Sequence, residues 1–180
     1  MAEEALFTHY ADAFVELAKE EKRVKEVREE IKTLTLILKD NRAFLDVITD
    51  VNYDLLDRYK IIDETFKGVS LLTLNFTKVI IKNDRGFYLY NIFKETLRKL
   101  NKLLNIVEGS LYLTEDISDE DLQKLEDAIG KDLNKKVELY KYIDSTLIGG
   151  FVVEIEDSYY DSSIKTKLEN LKTDLLKGRR

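Results

Sequence analysis

Tyr90-Asn91-Ile92-Phe93-Lys94-Glu95-Thr96-Leu97-Arg98-Lys99-Leu100-Asn101-Lys102-Leu103-Leu104 runs directly into Asn105-Ile106-Val107-Glu108-Gly109-Ser110-Leu111-Tyr112-Leu113. In the first part Tyr90, Phe93, Leu97, Leu100 and Leu104 recur at steps of three and four, the stripe of an amphipathic helix. After Gly109 the pattern changes, and Ser110-Leu111-Tyr112-Leu113 reads as a short strand. Charge shifts at the same place. Residues 1–105 carry 18 basic and 18 acidic side chains, whereas residues 106–180 carry 11 and 17 and hold the whole net charge of -6. The two coincident shifts predict a domain boundary, with one domain at 1–105 and another at 106–180.

Upstream the chain reads as a succession of helices. Leu6, Tyr10, Ala13, Phe14 and Leu17 line one face of a helix near 4–21. Val24, Val27, Ile31, Leu34 and Leu38 form a second stripe. Asp40-Asn41 is expected to cap a short helix bearing Phe44, Leu45 and Ile48, which breaks near Asp50-Val51-Asn52. A fourth helix carries Leu55, Leu56, Tyr59, Ile62 and Phe66, with Gly68 as its stop and Ser70 as the cap of the next. The fifth holds Leu71, Leu72, Leu74, Asn75, Phe76, Val79 and Ile80 and ends at Asn83, and Asp84 and Gly86 turn the chain into the sixth. Six helices with short connections make a compact bundle.

Downstream, Ser118-Asp119-Glu120-Asp121 fits the start of a helix that continues through Leu122, Leu125 and Ile129 and is expected to stop at Gly130. Val137 and Leu139 alternate with polar neighbours, Gly149-Gly150 precedes the β-branched run Phe151–Ile155, and Tyr159-Tyr160 suits one more strand. A closing helix from about Ser162 carries Ile164, Leu168, Leu171 and Leu175 as a narrow seam. That seam must dock on its own sheet or on a partner helix. The fold class expected is therefore α+β, mainly α: a six-helix bundle followed by a small α/β domain.

Composition removes much of the catalytic repertoire. The chain has 180 residues, one His, and no Cys, Trp or Pro. Thiol nucleophiles, disulfides and Cys-ligated metals are excluded. Ordinary usage of ~5% would give about nine prolines, and their absence favours long uninterrupted helices. Net negative charge argues against a nucleic-acid backbone as partner. The acidic start lacks the basic and apolar regions of a secretory signal, and no apolar run approaches the ~18 residues of a membrane span.

No constellation supplies chemistry. Phosphate-cradling glycine motifs are absent. Gly149-Gly150 reads as a turn or close backbone approach, not an anion site. Glu115-Asp116 with Asp119-Glu120-Asp121 lacks the alternation of a calcium loop and reads as a solvated helix N-terminus. His9 has only Asp12 as a local orienting carboxylate and reads as a surface residue. Phe14, Phe44, Phe66, Phe76 and Phe93 are core by spacing, while Tyr10 beside Ala11 and Ala13 also suits the wall of a helix-accepting groove. No cofactor or metal is implied.

Four segments, in order, resemble a known family. Tyr10-Ala11-x-Ala13-Phe14 is similar to an opening Y-A-x-A-hydrophobic helix. Leu74-Asn75-Phe76, Val79 and Lys82-Asn83-Asp84-Arg85 resemble N-F…V-x-x-E-N-G-R. Lys136–Leu139 and Ile143–Phe151 resemble K-V-x-L and V-D-P-S-L-I-G-G-hydrophobic, and Asp161-x-Ser163-Ile164…Leu168-x-x-Leu171 resembles D-G-S-hydrophobic…L-x-x-L. The family is the delta subunit of F-type ATP synthases, called OSCP in mitochondria. Departures fall at turns: Asp144-Ser145 replaces Asp-Pro, and Lys82 and Asp84 replace Glu and Gly.

The resemblance implies a non-catalytic stator subunit at the cytoplasmic face of a bacterial plasma membrane. It implies that the bundle receives the N-terminal helix of an α subunit between its first and fifth helices, at Tyr10, Ala13 and Val79, with Phe14, Asn75 and Asn83 as neighbours. It implies that the second domain holds the b subunits of the peripheral stalk, at Gly149, Gly150, Phe151, Ile164, Leu168 and Leu171. A free-standing helical adaptor with a peptide groove is the alternative. An enzyme using only carboxylates and tyrosines is a third, and needs two carboxylates with separated pKa values in one concave pocket.

Overall fold

The computed structural model describes residues 2–50, 52–156 and 158–177. The chain forms two compact units divided between Leu104 and Asn105. The first is helical throughout: α1 (Ala2–Glu20), α2 (Val24–Asp40), α3 (Arg42–Thr49), α4 (Leu55–Thr65), α5 (Leu71–Lys82), a 3-10 turn at Gly86–Tyr88, and α6 (Leu89–Leu104). The second contains β1 (Ile106–Leu113), α7 (Asp119–Leu133), β2 (Lys136–Ile143), β3 (Phe151–Ile155), β4 (Ser158–Asp161) and α8 (Ile164–Lys177). This is the mainly helical α+β architecture that periodicity predicts.

The core of the first unit is built on α6. Its apolar stripe of Leu89, Ile92, Phe93, Leu97 and Leu100 is buried among Phe14, Val15 and Ala18 of α1, Val27, Ile31 and Leu34 of α2, and Ile80 and Ile81 of α5. Phe76 links Phe14 to Phe93 in a run of stacked rings, with centroids 4.0 and 6.1 Å apart. Within this core Arg28 is buried and donates from Nε to Asn101 at 2.8 Å, which satisfies a polar group that burial would otherwise penalise.

Local signals set the helix ends. Ser70 caps α5 by accepting from the Thr73 N–H. Glu30, on α2, completes the cap by accepting from the Ser70 N–H at 2.8 Å and from the Ser70 hydroxyl at 2.8 Å. Asn41 departs from expectation. It stands at the N-cap position of α3, but its side chain donates back to the Ile37 carbonyl at 2.8 Å and satisfies the end of α2 instead. Of the expected break near Asp50-Val51-Asn52, Val51 lies outside the described residues.

In the second unit the sheet order is β2-β1-β3-β4, with β1 and β2 parallel and the other pairs antiparallel. Helix α7 makes the crossover that a parallel pair requires. Val107, Leu111, Leu113, Val137, Leu139, Val153 and Ile155 face it and enclose Ile129. Two boundaries correct the sequence reading. Strand β1 starts at Ile106, so Gly109 lies within it, where an added Cβ would meet the Glu154 carbonyl at 2.7 Å. Gly130 does not stop α7. The helix runs on to Leu133 and ends at Asn134, which takes the left-handed conformation at φ 51°.

Candidate partner-binding surfaces

Helix α1 presents two faces. Ala11 and Ala18, at 0 % exposure, let it approach the bundle closely, and Phe14 and Val15 are buried beside them. Ala13 and Leu17, expected on the same apolar stripe as Phe14, point outward, and Leu17 is 41 % exposed. Phe14 itself is a core residue at 2 % exposure, which removes it from the outer surface to which the resemblance assigned it. His9 is exposed, as expected.

Helix α5 mirrors this arrangement. Thr73, Thr77, Ile80 and Ile81 face inward, while Leu71, Asn75 and Val79 stand exposed at steps of four. The two helices are bridged from side chain to side chain. Phe14 stacks on Phe76, and the Asn83 amide donates to the Tyr10 hydroxyl at 3.0 Å. Tyr10, Asn83, Ala13, Asn75 and Val79 therefore belong to one neighbourhood, flanking that bridge on the outside of the bundle. Leu17 joins them, a residue that sequence reasoning assigned to the core because size and spacing alone cannot tell an inner apolar stripe from an outer one.

The second surface lies on α8. Ile164, Leu168 and Leu171 are 43, 57 and 59 % exposed, so the seam is not buried within its own unit. Leu175, its fourth position, lies outside the residues whose side chains are described. Ile143 and Ile148 are also exposed on this unit, a pair that no spacing rule singled out. Phe151 is half-buried against the sheet core.

Gly149 and Gly150 act by positioning α8. The Ile164 N–H donates to the Gly149 carbonyl at 2.9 Å, and the Ser162 N–H donates to the Phe151 carbonyl at 2.9 Å. Gly150 has φ +82°, and a Cβ there would fall 2.4 Å from the Ser162 carbonyl oxygen. Ser163 then caps the helix, accepting from the Thr166 N–H. The expected close backbone approach is thus present.

Neither surface has the groups of a catalytic site. Among the described residues, no group of His, Asp and Glu side chains is placed to hold a metal ion. The acidic stretch after Glu115 is exposed. Within it the Asp121 carboxyl is held below its ordinary value, first by the Ser118 hydroxyl and then by Lys124, while Asp116 is lowered by Lys141. No helix among the described residues is long and apolar enough to cross a membrane.

The sequence model of the family described as ATP synthase delta (OSCP) subunit matches residues 6–175. The chain belongs to this family. An ATP synthase subunit delta of Mycoplasma mycoides subsp. mycoides is 35% identical over 172 residues, covering 94% of this chain and 95% of the relative. That of Mesoplasma florum is 31% identical over 172 residues, covering 94% of each. In fold, the chain is similar to one in the cryo-EM structure of the Toxoplasma gondii mitochondrial ATP synthase hexamer, with a TM-score of 0.65 and 16% identity over 95% of this chain and 97% of that one.

In this delta-family chain the corner before α8 carries a pH dependence. Asp161 accepts from the Thr166 hydroxyl at 2.7 Å and from the Ser163 N–H at 2.8 Å. These bonds, the Thr166 one foremost, hold its carboxyl below the ordinary value. A folded-state pKa depressed in this way stabilises above the unfolded value of ~3.9 and loses that contribution as pH falls through the folded pKa. Amide exchange in the first turn of α8 is therefore expected to accelerate below about pH 4 in the native chain. An Asp161→Asn variant should exchange fast already at neutral pH, and equal exchange in the two proteins at neutral pH would contradict the assignment.

Proposed function

We propose that this protein is a non-catalytic stator subunit of an F-type ATP synthase. Its bundle receives the N-terminal helix of an α subunit along the outer faces of α1 and α5, and α8 holds the C-terminal end of the b subunits. In that place it sits peripherally at the cytoplasmic face of the bacterial plasma membrane. Family membership supplies the assembly. The observation that carries the reading is that each unit leaves one helical apolar stripe uncovered: Ala13 and Leu17 beside Val79 on the first, and Ile164, Leu168 and Leu171 on the second.

The role is mechanical. Proton-driven rotation of the central shaft drags on the catalytic head, and coupling to ATP synthesis requires a tie between head and membrane-anchored stalk. A nanomolar tie corresponds to ~12 kcal/mol. Each fully buried aliphatic side chain contributes roughly 1.5–3 kcal/mol, so a few anchors in a helix-in-groove interface suffice.

The direct test is calorimetric titration of the intact protein with a synthetic peptide of the α-subunit N-terminus from the same genome. Submicromolar one-to-one binding is expected. Absence of binding at high micromolar peptide, with helical circular dichroism intact, would favour the free-standing adaptor.

A further inference from the structure

Two apolar stripes are absorbed by the proposed function, the acidic stretch before α7 is solvated, and buried Arg28 is bonded to Asn101. A different feature lies on the first unit. A pocket of about 90 Å³ opens where α3, α4, the end of α5 and the 3-10 turn meet, lined by Ile48, Thr49, Arg58, Ile81, Asp84 and Phe87. The Nε of Arg58 is buried there and has no hydrogen-bond partner within the described residues. Asp84, at the same pocket, forms no ion pair with it, and the Thr49 hydroxyl is committed to the Leu45 carbonyl at 2.7 Å. Phe87 stands at the lip with 72 % of its surface exposed.

A buried donor without an acceptor is rare in native proteins and calls for a partner that supplies one. We infer that this pocket receives a single acidic side chain of a partner polypeptide, with Arg58 as the anion-binding group and Phe87 as the apolar contact for the adjoining residue. Size limits the occupant. Small-molecule sites run to ~300–1,000 Å³, and a water takes ~30 Å³, so the pocket holds one side chain and not a nucleotide. Charge sets its chemistry, because a guanidinium presents a planar fork of donors that a carboxylate matches in geometry. The small volume is also maintained by the chain: a Cβ at Gly86 would meet Thr49 Cγ2 at 2.4 Å. The site includes none of the residues assigned to the α or b subunits, so it stands or falls separately from them.

The probe is N-acetyl-aspartyl-leucine amide, compared with its asparaginyl analogue, titrated into the intact 15N-labelled protein. The aspartyl probe is expected to shift the Arg58 Nε–Hε resonance and the Phe87 amide saturably at millimolar concentrations. The asparaginyl analogue should bind about tenfold or more weakly, since hydrogen bonds to a charged group are the stronger kind. Arg58→Gln should abolish the response, and Phe87→Ala should weaken it while leaving the rest of the spectrum in place. Because Phe87 is exposed, that second variant remains informative if Arg58→Gln perturbs the fold. No saturable shift, equal binding of the two probes, or an unchanged response in folded Arg58→Gln would each overturn the assignment.

Discussion

Replacing Gly150 with alanine is expected to lower the melting temperature of the second unit by about 10 °C or more. Two penalties combine. At φ +82° a Cβ is strained whatever the space around it, typically by ~1–2 kcal/mol. The same Cβ would also stand 2.4 Å from the Ser162 carbonyl oxygen and 2.9 Å from the Ser163 Cα. Both are backbone atoms, so relief requires moving the strand or the start of α8, and overpacking of that kind costs ~1–3 kcal/mol. Gly68 supplies the control. Its φ is +90°, but nothing lies within 4 Å of an added Cβ. Gly68→Ala should therefore cost the first unit only the conformational part, ~1 kcal/mol. Calorimetric scans of the full-length variants would separate the two, and a Gly150→Ala transition shifted no more than that of Gly68→Ala would refute the close-approach argument.

The contrast shows what kind of information the sequence carries. Ser70, Gly68 and Ser118 were legible because capping and left-handed stops depend on a residue and its near neighbours. Glu30 was not. It completes the cap of α5 from forty positions away in sequence, and no local rule reaches that far. Gly130 misled for a related reason. A glycine near a helix end usually terminates it, yet here the helix continues and the missing Cβ accommodates the Lys135 carbonyl, which would lie 2.8 Å from one. Asn134 provides the left-handed stop. The six-helix order and the shift to strands after Leu104 followed from periodicity, which packing reinforced.

Candidate surfaces were legible only in part, and α1 shows why. Spacing grouped Ala13, Phe14 and Leu17 into one stripe, whereas the bundle selects Ala11, Phe14, Val15 and Ala18. Small residues permit close helix approach, and a count of large apolar side chains is blind to them. The result is a helix with more apolar surface than its own core consumes. That surplus, invisible as such in the sequence, is the physical signature of a second helix to be received. On α8 the seam was legible from its spacing. The structure adds that three of its side chains remain exposed on their own unit, which leaves a partner helix as the docking option.

Val79→Asp provides the sharpest test of the first surface. Val79 is 48 % exposed, so the isolated bundle can solvate a carboxylate there and its melting temperature should hardly change. In the proposed complex the same carboxylate would be enclosed between α5 and an incoming apolar helix. An unpaired charge in such a place costs several kcal/mol, and ~2.7 kcal/mol already corresponds to a hundredfold loss of affinity. Titration of the α N-terminal peptide into Val79→Asp is therefore expected to show at least about a hundredfold weakening. Tyr10→Phe distinguishes shape from hydrogen bonding. It keeps the ring but removes the acceptor for Asn83, so its effect should stay within about tenfold, the size of one neutral hydrogen bond. Wild-type affinity in Val79→Asp would dismiss the α1–α5 face as the seat of head binding, even if the intact protein binds the peptide tightly.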